Sequence, residues 1–396
     1  MKQEKIFVTG IGIVSSLGIG VKNFFEALIQ GQVGFSLSET FMASLYPPRL
    51  VGEVKSLPPV LSPAWQTAAQ EDRFLQFGLI AVQEAIASAN LSFDLLRTEK
   101  TGVILGTGSG RLDKQRNQRI PLLTALSLHS ISSQINAVLK LHGPAIALIP
   151  ACAAGNNAIG YAFDLLQAGI IDIAITGGVD ALTLMDFASF NAFKALANGL
   201  CKPFDKNRDG LLLGEGAGIL ILEKENHVQK RGASKIYAEI AGYGLSNEAY
   251  HIATPNPTGK GAASAMRSAL KHSMTKPHQI DYINAHGTGT VRNDVMETIA
   301  LKEVFGKYAY KIPVSSTKSN IGHALGAAGG LEAVICILAI EHEWIPPTIG
   351  LNEPDEKCDL DYVPGKGRHR KIKVAMSNSF GFGGHSASIV VKAPCD

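Results

Sequence analysis

"IPACAAG", residues 149–155, sets a thiol, Cys152, among small residues. It follows the apolar run Ala145-Ile-Ala-Leu-Ile149 and precedes a helix-like pattern over Asn157–Gln167. The pattern predicts a buried strand ending at Ile149 and a helix beginning within a few residues of the cysteine. A thiol there faces the unpaired N–H groups and positive end of the helix, which favour thiolate over thiol. Alanine and glycine neighbours admit a second chain closely and leave backbone N–H groups free to hold a developing oxyanion. The competing reading is packing, since free cysteine is among the most buried residue types.

Three further glycine-rich junctions bear on that choice. "NAHGTGT" (284–290) puts His286 just past a strand end, in a turn too rich in Gly and Thr to be core. "SNIGHALGAAGG" (319–330) puts His323 at the start of another helix, beside glycines that allow tight approach. Each histidine alone suits a structural hydrogen bond. A cysteine and two histidines at the tips of separate strand-to-helix junctions suit acyl transfer through a thioester, because sites in α/β sheets form where such loops converge. "SNSFGFGGHSAS" (377–388) reads either as a turn between strands or as a loop whose Phe380 and Phe382 swing over a pocket. "GIG" (10–12) and "GTGSG" (106–110) complete no G-x-G-x-x-G and have no acidic residue at the right distance, which excludes a dinucleotide site.

Short apolar runs alternate with amphipathic stretches along the whole chain, which is α/β patterning. Strands are predicted at 6–9, 102–105, 147–149, 171–175 and 218–222, then at 236–241, 282–285, 313–315, 373–377 and 386–392. The intervening helices are predicted at 74–89, 126–141, 157–167, 261–272, 295–305 and 323–342. The shared order of elements predicts two similar halves, residues 1–231 carrying the cysteine and 232–396 carrying the two histidines and the Gly-rich loop. The first strand is expected to run into a turn at the GIG glycines.

With 396 residues, 46% hydrophobic and 18% charged, the composition is that of a large globular core or two fused ones. A net charge of +3 is too small for a nucleic-acid or membrane footprint. The five cysteines form no C-x-x-C pair and are odd in number, so a disulfide framework or zinc cage is not expected, and a reducing cytoplasm fits. The glycines and Glu4 of the N-terminal stretch argue against a signal peptide, and no apolar run approaches the 18 residues of a membrane span.

Taken together, PACAAG, KPFDKNRDGLLLGEGAG (202–218), NAHGTGT with Asn293-Asp294 and Glu297 after it, STKSNIGHALGAAG (316–329) and SNSFGFGGHSAS resemble the β-ketoacyl-[acyl-carrier-protein] synthases, in matching order from about Thr9 to Val391. The elongating type, 3-oxoacyl-[acyl-carrier-protein] synthase II, is the nearest in pattern. The resemblance implies a thiolase-like fold of two βαβαβαββ halves in five αβαβα layers, in a homodimer. It implies a decarboxylating Claisen condensation without a cofactor or metal. Cys152 would hold the acyl chain, and malonyl-carrier protein would lose carbon dioxide and supply the attacking carbanion.

Carried over residue by residue, backbone N–H groups of Cys152 and Phe382 would form the oxyanion hole, while His286 and His323 would hold the malonyl thioester carbonyl. Lys318 would tie the histidine loops to Glu297, with Asp294 nearby; the three also read as a structural ion-pair network. Thr288 and Thr290 match positions that bind the pantetheine arm, and Phe382 matches the phenylalanine that closes the acyl pocket, with Phe380, Gly381 and Gly383 around it. A second histidine, where chain-initiating relatives carry asparagine and thiolases cysteine, favours malonyl decarboxylation.

The chain departs from the pattern at Pro150, at Ser109 in the acyl-pocket segment, at Arg111 to Ser130, and at Ser62 to Glu71, which is poor in basic residues. These departures favour a specialised product, such as an aryl polyene or another polyketide-like chain. Lys202 matches a carrier-docking position; Arg73 and Arg208 are further docking candidates, and the basic run 366–373 reads as a solvated loop or part of a partner surface. Two other functions stay open: a non-catalytic subunit that sets chain length in a heterodimer, and acyl transfer without decarboxylation.

Overall fold

The computed structural model describes residues 4–38, 49–58, 65, 72–108 and 130–394. Ser109, 111–129 and most of 62–71 thus lie outside the described residues.

Among the described residues eleven strands join in one sheet, the short Gly18–Ile19 strand beside the first and ten in an unbroken order. In the first half these are β1 (Ile6–Ser15), β2 (Thr101–Gly106), β3 (Ala145–Leu148), β4 (Ile173–Asp180) and β5 (Gly216–Lys224). The second half supplies β6 (Ala238–Asn247), β7 (Tyr282–Asn284), β8 (Val314–Ser315), β9 (Val374–Gly381) and β10 (His385–Lys392). Their spatial order is β8-β7-β9-β10-β6-β1-β5-β4-β2-β3. Each half therefore repeats one plan. The first strand pairs antiparallel with the fifth, the fifth antiparallel with the fourth, and the fourth and third each lie parallel to the second. The halves meet at two residue pairs, Phe7 with Glu239 and Val8 with Ala238.

Helices lie on both faces, as parallel connections require. α1 (Arg73–Ser88) and α2 (Ser130–Leu139) cover the outer face of the first half. α1 starts where the Asp72 side chain accepts the Leu75 N–H. Between the halves run α3 (Ala154–Gln167) and α7 (Ala328–Glu341). α5 (Lys260–His272) and α6 (Val291–Phe305) cover the outer face of the second half, and α4 (Leu184–Ala192) stands at the site described below. This is a five-layered α/β arrangement. Every residue of α7 from Ala328 to Ile340 is buried, as a helix apolar on all sides must be.

Two local expectations change. β1 does not turn at Gly10–Gly12 but runs on to Ser15. A Cβ at Gly10 or Gly12 would run into the carbonyl oxygens of Ala85 and Ala81, so these glycines let α1 lie directly on the strand. The helix expected from His323 also starts later. A short turn, Lys318–Ile321, and a 3₁₀ turn, Leu325–Ala327, precede α7, and His323 lies between them in extended backbone bridged to Leu213. No described helix is long and apolar enough to cross a membrane.

Candidate active site

Cys152 sits in a 3₁₀ turn, Ala151–Ala153, that leads directly into α3. Ala151 has φ +49°, a left-handed conformation that L-residues adopt only under constraint, so the thiol is presented from a sharp elbow. The small residues around it answer to packing as well. A Cβ on Gly155 would lie 2.5 Å from the Gly330 amide, so the first turns of α3 and α7 cross at their glycines. Asn156 ties α3 to β9 by donating to the Ser377 carbonyl at 3.3 Å and the Ser379 hydroxyl at 3.2 Å.

Three loops converge on this thiol. A cavity of about 510 Å³ is lined by Cys152, His286, His323, Thr288, Thr290 and the Phe380–Ser386 loop. The two imidazoles stand 5.2 Å apart at 84°, and Phe380 packs on His286 at 5.6 Å. The Nδ1 atom of each histidine is buried without a hydrogen-bond partner. Burial, and then the Lys318 ammonium, holds both imidazoles well below their ordinary pKa; His323 adds to the effect on His286. Both rings are therefore neutral at physiological pH. The hydroxyls of Thr288 and Thr290 lie 2.9 Å apart on the cavity wall.

β9 and β10 form a hairpin across Phe382–Gly384, which brings its glycines against the elbow. A Cβ at Gly381 would lie 3.1 Å from the Cys152 amide nitrogen and 3.0 Å from the Pro150 carbonyl oxygen. Gly383 takes φ +78° to close the turn. Phe382 joins the apolar cluster of Cys152, Phe187, Phe190, Leu211 and Leu325.

Burial pushes the Cys152 thiol up to about 12, with Lys318 drawing it down and Asp180 pushing it further up. The expectation of a resting thiolate is corrected on that ground: the site is too dry for the helix terminus alone to hold the charge.

Lys318, Glu297 and Asp294 stand behind the cavity rather than on it. The tie expected from Lys318 to Glu297 is not made. Lys318 pairs with Glu332 of α7, both 1% exposed. Burial raises Glu332 to about 7 against the pull of that lysine. Glu297 instead accepts the backbone N–H groups of His286 at 2.9 Å and Gly287 at 2.8 Å, which sets the histidine loop; burial raises it to about 7. Asp294 accepts from the Phe204 amide at 2.8 Å and the Gly289 amide at 3.3 Å. These three are positioning residues.

The docking candidates fare differently. Arg208 is interior, not surface: it is 4% exposed, pairs with Asp294 and Asp355, and donates to the carbonyls of Thr290 and Val291. It braces the threonine turn. Arg73 is 37% exposed, but Glu215 takes its charge, with Nε 3.1 Å from the carboxylate. Lys202 is half-buried.

Four residues escaped the sequence reading. Glu332 left a signal, a lone acid in the apolar stretch "GLEAVICILAI" (330–340). Asp180, at the end of buried β4, accepts from Thr107 and from the amides of Gly108 and Gly326, and so joins the loops on both sides of the thiol. Phe190 and Phe193, packed on Phe382, have no spacing that marks them.

Comparison with known proteins agrees with this geometry. The model of the beta-ketoacyl synthase N-terminal domain matches residues 3–227, and that of the C-terminal domain matches residues 237–352. The 3-oxoacyl-[acyl-carrier-protein] synthase 2 of Synechocystis sp. is 42% identical over 411 residues, 99% of each chain. Among solved structures, a type II polyketide synthase ketosynthase in complex with its acyl-carrier protein matches over 100% of both chains, with TM-score 0.89 and 32% identity. The ishigamide ketosynthase/chain length factor gives TM-score 0.91 and 33% identity over 99% of this chain and 100% of that one. End-to-end relatives and two domain models that together span most of the sequence place this chain in the β-ketoacyl synthase family.

Proposed function

We propose that the protein is an elongating ketosynthase that condenses an acyl chain with malonyl-carrier protein. The observation that carries this is the convergence of Cys152, His286 and His323 on one cavity. In the first half-reaction the Cys152 sulfur attacks the acyl thioester of a carrier protein, and the carrier thiol leaves with the proton. Amides of Cys152 and Phe382 serve the tetrahedral oxyanion. In the second, malonyl-carrier protein loses carbon dioxide and leaves an enolate. A neutral imidazole that carries its proton on Nε2 can donate that N–H to the enolate oxygen, and both histidines face the cavity for this role. The carbanion then attacks the acyl-Cys152 carbonyl, releasing 3-oxoacyl-carrier protein and the Cys152 thiolate, which takes up a proton from solvent to restore the thiol. Thr288 and Thr290 bind the pantetheine arm.

An acyl carrier protein is the partner, as it is for the polyketide ketosynthase above. The protein works as a homodimer joined at β3, which is at the sheet's edge among the described residues and is followed by Ile149, 41% exposed. Cytoplasmic residence and a specialised fatty acid or polyketide-type product complete the reading. An intact thiol on the cavity weighs against a non-catalytic chain-length subunit.

The test is intact mass spectrometry of wild type and Cys152→Ala with octanoyl-carrier protein, then malonyl-carrier protein. An octanoyl adduct on wild type alone, followed by 3-oxodecanoyl-carrier protein, is expected. No adduct from octanoyl or a panel of other acyl carriers overturns the proposal.

A further inference from the structure

We infer that the end of the sheet opposite the cavity is a docking face for an anionic lipid surface. The net charge of +3 conceals how unevenly charge is spread along the chain. Three segments, 271–281, 306–313 and 366–373, hold nine lysines and arginines and a single carboxylate, Asp281. The rest of the chain is therefore net acidic.

Each segment leads into one of the strands β7, β8 and β9, which run parallel. All three thus lie at the amino ends of those strands. His286, His323 and Phe382 follow the carboxyl ends, so the cavity lies at the other end of the sheet. The three segments also touch one another. Arg370 donates to the Lys311 carbonyl at 3.4 Å, the Lys373 amide donates to the Asp281 carboxylate at 2.8 Å, and the His278 and Tyr308 rings stand 5.7 Å apart. They form one continuous surface.

All nine cationic side chains are exposed. Arg368 pairs with Asp361, and the other eight are in no ion pair among the described residues. Asp281 is taken up by the amides of Lys373 and Val374. Glu343 borders the face, where its carbonyl accepts the Arg370 amide at 2.8 Å. Two exposed apolar side chains sit among the lysines. Met274, 83% exposed, lies between Lys271 and Lys276, and Tyr310, 55% exposed, precedes Lys311.

That mixture decides between the polyanions such a face could meet. Seven of the nine cations are lysines, point charges suited to a diffuse anionic surface rather than to forked recognition of single phosphates. Clustered lysines gather at anionic headgroups, and an apolar side chain among them gains by entering the layer beneath. A nucleic acid offers Met274 no such layer. Seated this way, the protein turns its cavity away from the lipid, toward carrier protein in solution.

The test is sedimentation of the full-length protein with vesicles of equal parts phosphatidylcholine and phosphatidylglycerol. Wild type is expected to sediment with these and not with phosphatidylcholine alone. Raising salt from about 0.1 M to 1 M, which cuts the screening length from about 10 Å to 3 Å, should release it. Each lysine removed should weaken partition about 5-fold, so Lys371→Gln/Lys373→Gln together should lose about 25-fold. Met274→Ser should weaken vesicle binding and leave retention on heparin unchanged. Lys260→Gln, which removes a charge at the opposite end of α5 from Lys271, should bind as wild type does. An unchanged thermal midpoint shows that the variants fold. No vesicle binding by wild type, equal binding to neutral vesicles, or a double variant or Met274→Ser that binds as wild type does overturns the proposal. Retention of wild type on duplex DNA without vesicle binding overturns it too, in favour of a nucleic acid. Sedimentation does not read Cys152, so either outcome leaves the proposed condensation to its own test.

Discussion

At Cys152 two influences oppose each other: burial favours the thiol, while the N-terminus of α3 and the Lys318 ammonium favour the thiolate. Burial prevails, so the proton must leave as the acyl group arrives, and the neutral imidazoles that line the same cavity can take it. The consequence can be read with a simple alkylating agent. Only thiolate reacts, so a thiol raised to about 12 labels faster at every step of alkalinity. The logarithm of the iodoacetamide rate should climb by about one per pH unit from pH 6 to 9, without a plateau. A plateau below pH 8 would mean that the helix terminus and lysine outweigh burial. Behind the thiol, Lys318 and Glu332 form the kind of buried pair in which removing one partner strands the other's charge.

At the scale of elements, the site depends on how closely α3 and α7 cross. Gly155→Ala would place a methyl 2.5 Å from the Gly330 amide. It should cost about 1–3 kcal/mol by overpacking and shift the elbow that carries Cys152. A fall in thermal midpoint together with slower acylation of Cys152 is expected; an unchanged midpoint would show that the helices part freely. Much of this architecture was legible. The strands alternate or run apolar between turn residues, so all ten were placed in order, although their ends shifted. What was not legible was set by tertiary contact. Gly10 and Gly12 look like a turn in sequence, and only the helix lying on them makes them strand. His323 looks like a helix start, and its bridge to Leu213, more than a hundred residues away, draws it into extended backbone. At the site, the glycine-rich junctions marked the cysteine and the histidines, and the family resemblance marked the threonines; all of them line the cavity. The resemblance gave Lys318 the wrong partner, and the docking reading put Arg208 on the surface, because pairing and burial depend on neighbours distant in sequence. Phe190 and Phe193, which pack on Phe382, carry no local pattern at all.

At the scale of the whole molecule, β3 has a ladder on one side among the described residues. Carbonyls of Pro144 and Leu148 accept from β2. By the alternation of a parallel pair, Ala147 turns its N–H outward. Ala147→Pro removes that donor without breaking the inner ladder. Light scattering should find the wild type dimeric and Ala147→Pro monomeric; a dimer in the variant, or a monomer in the wild type, would remove β3 as the joint.

The repeated strand order reaches further than architecture. Cys152 follows the third strand of its half and precedes α3, while His323 follows the third strand of the other half and precedes α7. Each of these helices is entered through a 3₁₀ turn, Ala151–Ala153 and Leu325–Ala327, that opens on a residue at φ +49°, so exchanging the halves carries Cys152 onto Gly326 and Gly155 onto Gly329. The elbow is thus built twice, with a thiol on one copy and a glycine on the other. The repeated backbone supplies the shape, and a single side chain decides which copy can react.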